Sequence, residues 1–169
     1  WDTLGIGGVE NVAQWTRFGF TPSTARTWVR GGVEPQDAAS WQDAGFDEGG
    51  SRRWRRAGFA PSDARRFQEV GVDARRAAAW VAAGFTAAEA ASWVSAGKRA
   101  KEATEWQRLG VRSSADAAAW SEVAGSPAAT SKWLAAGVRT PEVARRWAVA
   151  FGSPEAASSW IAQGLEPES

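Results

Sequence analysis

Cysteine, histidine, methionine and tyrosine are all absent from this 169-residue chain. Without cysteine there are no disulfides, thiolate nucleophiles or cysteine-ligated zinc sites, and without histidine there is no conventional catalytic triad. The sequence also lacks a glycine-rich phosphate loop that ends in Lys-Ser or Lys-Thr. We therefore expect no enzyme activity, no catalytic residues, no metal and no cofactor.

A charge excess of one sign and long apolar runs are missing as well. The formal net charge is +1, which gives no global attraction to nucleic acid or to a membrane surface. The most apolar stretch, residues 77–97, is interrupted by Gly84 and Glu89, whereas a membrane helix needs about 20 apolar residues. We expect a soluble protein with no membrane partner and no signal peptide or transmembrane segment in this chain. The compartment stays open, with the cytoplasm slightly favoured.

Tryptophan, in contrast, occurs twelve times and at regular intervals. One aromatic residue recurs every 13 or 14 positions, and a short segment copied many times predicts a single tandem-repeat array over residues 1–169. After Trp1, the repeat aromatics that we expect to form the core are Trp15, Trp28, Trp41, Trp54, Phe67, Trp80, Trp93, Trp106, Trp120, Trp133, Trp147 and Trp160.

Each repeat has the start and stop signals of one short helix. Proline stands six residues before the aromatic in several repeats and follows a capping residue such as Thr21 or Ser126, which indicates a helix start. Glycine four residues after the aromatic fits the left-handed residue that ends a helix. The helix-terminating glycines are Gly19, Gly32, Gly45, Gly58, Gly71, Gly84, Gly97, Gly110 and Gly137. We predict a helix of about ten residues and a three-residue turn per repeat.

The aromatic and a small residue three positions before it, such as Ala25 or Ala64, share one helix face. Helices this short are not stable alone in water, so the repeats must stack through Trp and Ala. The sequence predicts an all-α fold: an α-solenoid or superhelix of about twelve helices, with one helix per repeat or a helix pair per 26 to 27 residues. From Trp106 onward, the alternating 14- and 13-residue spacing favours the pair.

The phrase "W..AGF.P..A..W" resembles short Trp/Gly-Phe tandem helical repeats that recur in bacterial proteins of high-GC genomes, over essentially the whole chain. The resemblance implies the repeat architecture and no activity. The repeat "DEGGSRRW" departs from it, because Glu48 replaces proline and two glycines follow, so we expect its helix to be the weakest. The chain begins and ends within a repeat, and "GLEPES" starts a further helix at Pro167. We expect a slice of a longer array, with Trp1 and Leu165 as possible assembly ends.

Eight of the seventeen arginines lie in three adjacent repeats, between residues 52 and 76. Stacked repeats would align them as a basic stripe for phosphates or an acidic partner. The interleaved acids Asp63, Glu69 and Asp73 equally fit a solvated helix face. The candidate binding patch is Arg52, Arg53, Arg56, Arg65, Arg66, Arg75 and Arg76, with Arg55 beside it.

These patterns lead to three functional hypotheses. The first is a non-enzymatic repeat scaffold that binds a protein or peptide through variable outward helix faces. The second is a structural protein that assembles end to end into fibres or rings. The third is salt-sensitive nucleic-acid binding through the arginine stripe.

Overall fold

The computed structural model describes Trp1, Gly5 and residues 8–165. This part of the chain forms twelve helices and no strand, which confirms the all-α prediction. The helices are α1 (Val9–Arg17), α2 (Pro22–Arg30), α3 (Pro35–Asp43), α4 (Glu48–Arg56), α5 (Pro61–Glu69), α6 (Ala74–Ala82), α7 (Ala87–Ser95), α8 (Ala100–Arg108), α9 (Ser114–Ala124), α10 (Pro127–Ala135), α11 (Pro141–Phe151) and α12 (Pro154–Ala162). Pro167, where the sequence predicts a further helix, lies outside the described residues.

The helices begin where the sequence predicts, at proline and behind a capping side chain. Proline is the first residue of α2, α3, α5, α10, α11 and α12. Thr21, Ser126, Thr140 and Ser153 each accept a hydrogen bond from the backbone N–H three residues later. Asp47, Asp73 and Ser113 cap α4, α6 and α9 in the same way, although no proline marks those starts. These caps satisfy backbone donors that the first helical turn leaves unpaired.

Each short helix ends in a closed turn that glycine makes possible. After α1, Gly19 has a φ of +78° and its N–H donates to the carbonyl of Thr16 at 2.9 Å. The N–H of Phe20 then donates to the carbonyl of Trp15 at 3.0 Å, which completes a Schellman motif. The helices are close to the predicted length of about ten residues, and most links are one residue longer than the predicted three-residue turn. Most helices have nine residues and most links have four, because the turn includes both the glycine and the apolar residue after it.

The long helices α9 and α11 have eleven residues and follow a different pattern. Each ends on a left-handed glycine, Gly125 (φ +80°) or Gly152 (φ +77°). The next residue, Ser126 or Ser153, already caps the following helix. The pairs α9–α10 and α11–α12 therefore have the same lengths and linkers, as the alternating tryptophan spacing predicts.

The chain divides into two compact units, residues 1–88 and 89–169. In the first unit, successive helices from α2 to α6 contact each other, and α1 contacts α3. In the second unit, α9 contacts α10 and α11 contacts α12, while α8–α10, α9–α11 and α10–α12 are also in contact. Contacts between successive helices thus prevail in the first unit, whereas in the second unit contacts between helices two positions apart are equally prominent.

The predicted small and aromatic positions fill the interior almost without exception. The small residues three positions before the aromatics are 0% exposed; they are Ala25, Ala38, Ser51, Ala64, Ala77, Ala90, Ala103, Ala117, Thr130, Ala144 and Ala157. The repeat aromatics from Trp15 to Trp147 are at most 6% exposed. Trp160, which we expected in the core, is 45% exposed, because no described helix follows α12 to cover it. Trp1 is partly exposed.

Candidate functional site

The arginines of the predicted patch lie on α4, α5 and α6, and all seven are exposed at the surface. The structure does not gather them into one cluster. Instead six of them, all except Arg76, line grooves that each lie between a helix and the helix two positions later, within the first compact unit. We name these the α2/α4, α3/α5 and α4/α6 grooves.

The α3/α5 groove carries equal numbers of acidic and basic side chains. Its lining residues are Ser40, Asp43, Ala44, Pro61, Ser62, Arg65, Arg66 and Glu69. Nε of Arg65 donates to Oε1 of Glu69 at 2.9 Å, so one of the two cations is already paired. This pair is exposed on both sides and contributes little to stability.

The α4/α6 groove is moderately basic. Its lining residues are Arg53, Arg56, Ala57, Asp73, Ala74, Arg75 and Ala78. The carboxylate of Asp73 accepts a hydrogen bond from the backbone N–H of Arg76 at 2.9 Å, because it caps α6. Arg76, although part of the predicted patch, is not among the residues that line this groove.

The α2/α4 groove has the strongest concentration of positive charge. It has a volume of about 500 Å³, and its lining residues are Arg30, Gly31, Arg52, Arg55 and Arg56. Arg30 was not part of the predicted patch, since it lies 22 residues before Arg52 in the sequence. The pairing of each helix with the one two positions later brings the two arginines to the same groove.

Beneath this groove lies a buried acid. The side chain of Glu48, the first residue of α4, is 7% exposed. Its Oε1 accepts from Nε of Arg52 at 3.1 Å and from an Nη of Arg55 at 2.9 Å, and its Oε2 accepts from an Nη of Arg52 at 2.7 Å. The hydrogen bonds that Arg52 donates to Glu48, together with the negative charge of Glu48, raise the pKa of the Arg52 guanidinium above its usual value. Glu48 is therefore paired, as a buried carboxylate must be.

Gly31 makes room for this acid. A Cβ at Gly31 would lie 2.9 Å from the carboxyl carbon of Glu48 and closer still to its Oε1. Sequence reasoning noted only that Glu48 replaces a proline, and it missed the pairing. A signal was present, because no other repeat has glycine three residues after its aromatic or glutamate six residues before it.

Several guanidinium donors of the α2/α4 groove have no acidic partner. Among the described residues, Arg30 and Arg56 form no ion pair. The Nε of Arg55 is buried without a hydrogen-bond partner, while the Arg55 side chain as a whole is 24% exposed. The groove therefore has spare capacity for a negatively charged group.

Comparison with known proteins assigns no chemistry to these grooves. No protein-family model, curated protein or solved structure matches the chain. Within the described ranges, no group of three or more acidic residues could hold a metal ion. In the same part of the chain, no helix is long and apolar enough to cross a membrane.

Proposed function

We propose that this chain is a non-enzymatic repeat scaffold that binds a protein or peptide partner through its outward helix faces. The supporting observation is a contrast between interior and surface. Eleven repeats have a fully buried small residue at the same position, whereas the grooves between helices differ in chemistry from one to the next. The comparison is clearest at two positions of each groove: the residue three after the aromatic of one helix, and the first residue of the helix two positions later. These residues are Ala44 and Pro61 in the α3/α5 groove, Gly31 and Glu48 in the α2/α4 groove, and Ala57 and Ala74 in the α4/α6 groove.

The frame of this scaffold is an α-solenoid built from helix pairs. Ion pairs between helices two positions apart support this arrangement in the second compact unit. Arg145 on α11 binds Glu122 on α9 at 2.9 Å, and Lys132 on α10 binds Glu155 on α12 at 2.9 Å. Both pairs span 23 residues, as expected when every second helix lies in the same row.

A peptide-display library selected on the immobilised chain tests the proposal. We expect binders that lose affinity in the variant Arg53→Ala/Arg56→Ala/Arg66→Ala, in which groove residues are changed. They should keep it in Arg26→Ala/Arg76→Ala, in which exposed arginines outside the three grooves are changed. Failure to recover any peptide, or binders insensitive to all groove substitutions, would contradict the scaffold function.

End-to-end assembly is a second candidate function, and exposed apolar residues at the end of α11, on α12 and just after α12 favour it. Trp160 is 45% exposed, Phe151 37% and Leu165 47%, and the rings of Phe151 and Trp160 lie 5.9 Å apart. Adjacent exposed apolar rings, such as those of Phe151 and Trp160, are typical of interaction sites. Light scattering over a range of protein and salt concentrations distinguishes the two functions. A constant monomer mass supports the scaffold alone. Mass that grows with concentration, is insensitive to salt and is abolished by Trp160→Ser supports assembly.

A further inference from the structure

We propose that the α2/α4 groove is a carboxylate-binding site that takes acidic side chains of a bound peptide segment. This inference rests on the proposed scaffold function and names its site and the chemistry of its ligand. It depends on three features of the groove: its charge, its spare hydrogen-bond donors and the acid that it already holds.

The charge of this groove differs from that of its neighbours. Four guanidinium groups line it, and one carboxylate, that of Glu48, lies beneath them. In the α3/α5 groove, two arginines face two acids, and in the α4/α6 groove three arginines face one. Of the three grooves, the α2/α4 groove therefore attracts a negatively charged segment most strongly.

Glu48 shows how the arginines of this groove bind a carboxylate. Arg52 holds it with two parallel hydrogen bonds of 3.1 and 2.7 Å, the bidentate geometry that fits guanidinium to carboxylate. Arg55 adds a third bond at 2.9 Å to the same carboxylate. The groove thus already contains one carboxylate, and Arg52 and Arg55 bind it with three hydrogen bonds.

The donors that remain point to a second carboxylate. Arg30 and Arg56 line the groove from α2 and α4, and within the described part of the chain neither has an acidic partner. Beside them, the guanidiniums of Arg52 and Arg55 are fixed by Glu48 and therefore keep their positions when a ligand enters. Such preorganisation lowers the entropic cost of binding.

The surroundings favour an acidic peptide over a nucleic acid. The α4/α6 groove shares Arg56 with this one and also contains Asp73, whose charge opposes a continuing phosphate backbone. Base stacking needs exposed aromatic rings, but the repeat tryptophans of the flanking helices, Trp28 and Trp54, are 2% and 6% exposed. A single acidic side chain that binds within the α2/α4 groove does not have to pass Asp73 and does not need an exposed aromatic ring.

Isothermal titration calorimetry with a hexaglutamate peptide, which measures the dissociation constant, tests the inference. Hexaglutamine serves as the uncharged control, and a six-residue oligothymidylate serves as the polyphosphate competitor. The groove variant is Arg30→Ala/Arg56→Ala, and the matched control is Arg26→Ala/Arg76→Ala, which removes the same charge from exposed positions of α2 and α6. Circular dichroism and urea midpoints verify that both variants fold.

We expect hexaglutamate, and not hexaglutamine, to bind the unmodified chain. The groove variant should weaken this binding at least tenfold, and the control less than twofold. Equal losses in both variants would show attraction by the general surface charge and would overturn the site. No hexaglutamate binding, or oligothymidylate binding that is tighter and depends on Arg30 and Arg56, would overturn it as well.

The two proposals fail separately. If library peptides bind the grooves but contain no acids and do not respond to Arg30→Ala/Arg56→Ala, the carboxylate site is wrong and the scaffold remains. If no library peptide binds, the scaffold is wrong whatever the titration with hexaglutamate shows.

Discussion

Phe20 contacts Trp15 in two ways, through the backbone and through the ring. Its N–H donates to the carbonyl of Trp15 at 3.0 Å, and its ring meets the indole edge-on with centroids 5.0 Å apart. The same edge-on geometry recurs in Trp41–Phe46, Trp54–Phe59 and Trp80–Phe85. One residue therefore both packs its ring against the indole and, through its backbone, completes the turn that ends the helix.

The glycine between the two partners is required by its backbone conformation and not by lack of space. Gly58 has a φ of +78°, and a Cβ there would meet no atom within 4 Å. We expect Gly58→Ala to destabilise the protein by about 1–2 kcal/mol, the cost of a left-handed alanine. Urea denaturation measures it. A neutral result would show that the turn can re-form without the left-handed residue.

The glycines of α4 should weaken that helix. Gly49 lies inside α4, and the nearest atom to an added Cβ is 3.7 Å away. Gly49→Ala should therefore stabilise the protein by about 0.5–1 kcal/mol, because a glycine within a helix loses more backbone entropy than alanine. Hydrogen exchange should show faster exchange for the α4 amides than for those of α3 and α5, and slower exchange in the variant. Equal protection of the three helices would contradict this prediction.

Removing a buried indole should cost far more than removing an exposed one. Trp93 is 1% exposed and Trp160 is 45% exposed. We expect Trp93→Ala to lower the free energy of unfolding by about 3–5 kcal/mol, as for large core aromatics, and Trp160→Ala by less than half as much. Urea denaturation compares them under identical conditions. Equal losses at the two positions would mean that Trp160 is covered in solution.

Gly31 and Glu48 should be coupled in a double-mutant cycle. An added methyl group at Gly31 collides with the Glu48 side chain, so Gly31→Ala should destabilise the protein by about 1–3 kcal/mol. In a Glu48→Ala background the collision is absent, and the same substitution should cost much less. The interaction term follows from four urea curves. Additive effects would place Glu48 away from Gly31 in solution.

Lys132 should control the titration of Glu155. Its Nζ donates to Oε1 of Glu155 at 2.9 Å, and chiefly for this reason the pKa of the Glu155 carboxyl lies below its usual value. A lowered pKa stabilises the folded state above the unfolded value of about 4.3, and this contribution disappears as the pH falls through the folded value. Carboxyl-carbon NMR should show the pKa rising in Lys132→Ala. It should not change in the control Arg145→Ala.

The sequence predicts the local structure well because every signal for it lies within one repeat. Pro22 behind Thr21 marks a start, Gly19 marks an end, and Trp28 with Ala25 marks the buried face. Each of these signals acts over fewer than ten residues. The helices, their caps and most of the core therefore follow from periodicity alone.

The α2/α4 groove could not be predicted in this way. The periodic pattern is compatible with stacking of successive helices and with pairing of alternate helices, and only the second brings Arg30 to Arg52. In the periodic pattern Glu48 is only a departure from the proline that other repeats have at this position. In the structure it is a buried acid that forms ion pairs with Arg52 and Arg55. The periodic pattern also does not distinguish Trp160, which is 45% exposed, from the buried repeat tryptophans.

The contact between Glu48 and Gly31 also bears on how the chain avoids folding into the wrong arrangement. Helices built to one template present nearly identical Trp and Ala faces, so a helix can dock on a neighbour one place too early or too late. A carboxylate at the start of α4 fits only where α2 is followed by a residue without a side chain, and every other described repeat presents a larger residue at that place. A register shifted by one helix would trap Glu48 against a side chain such as that of Ala44. The complementary pair of Gly31 and Glu48 therefore favours docking of α4 on α2 over a register shifted by one helix.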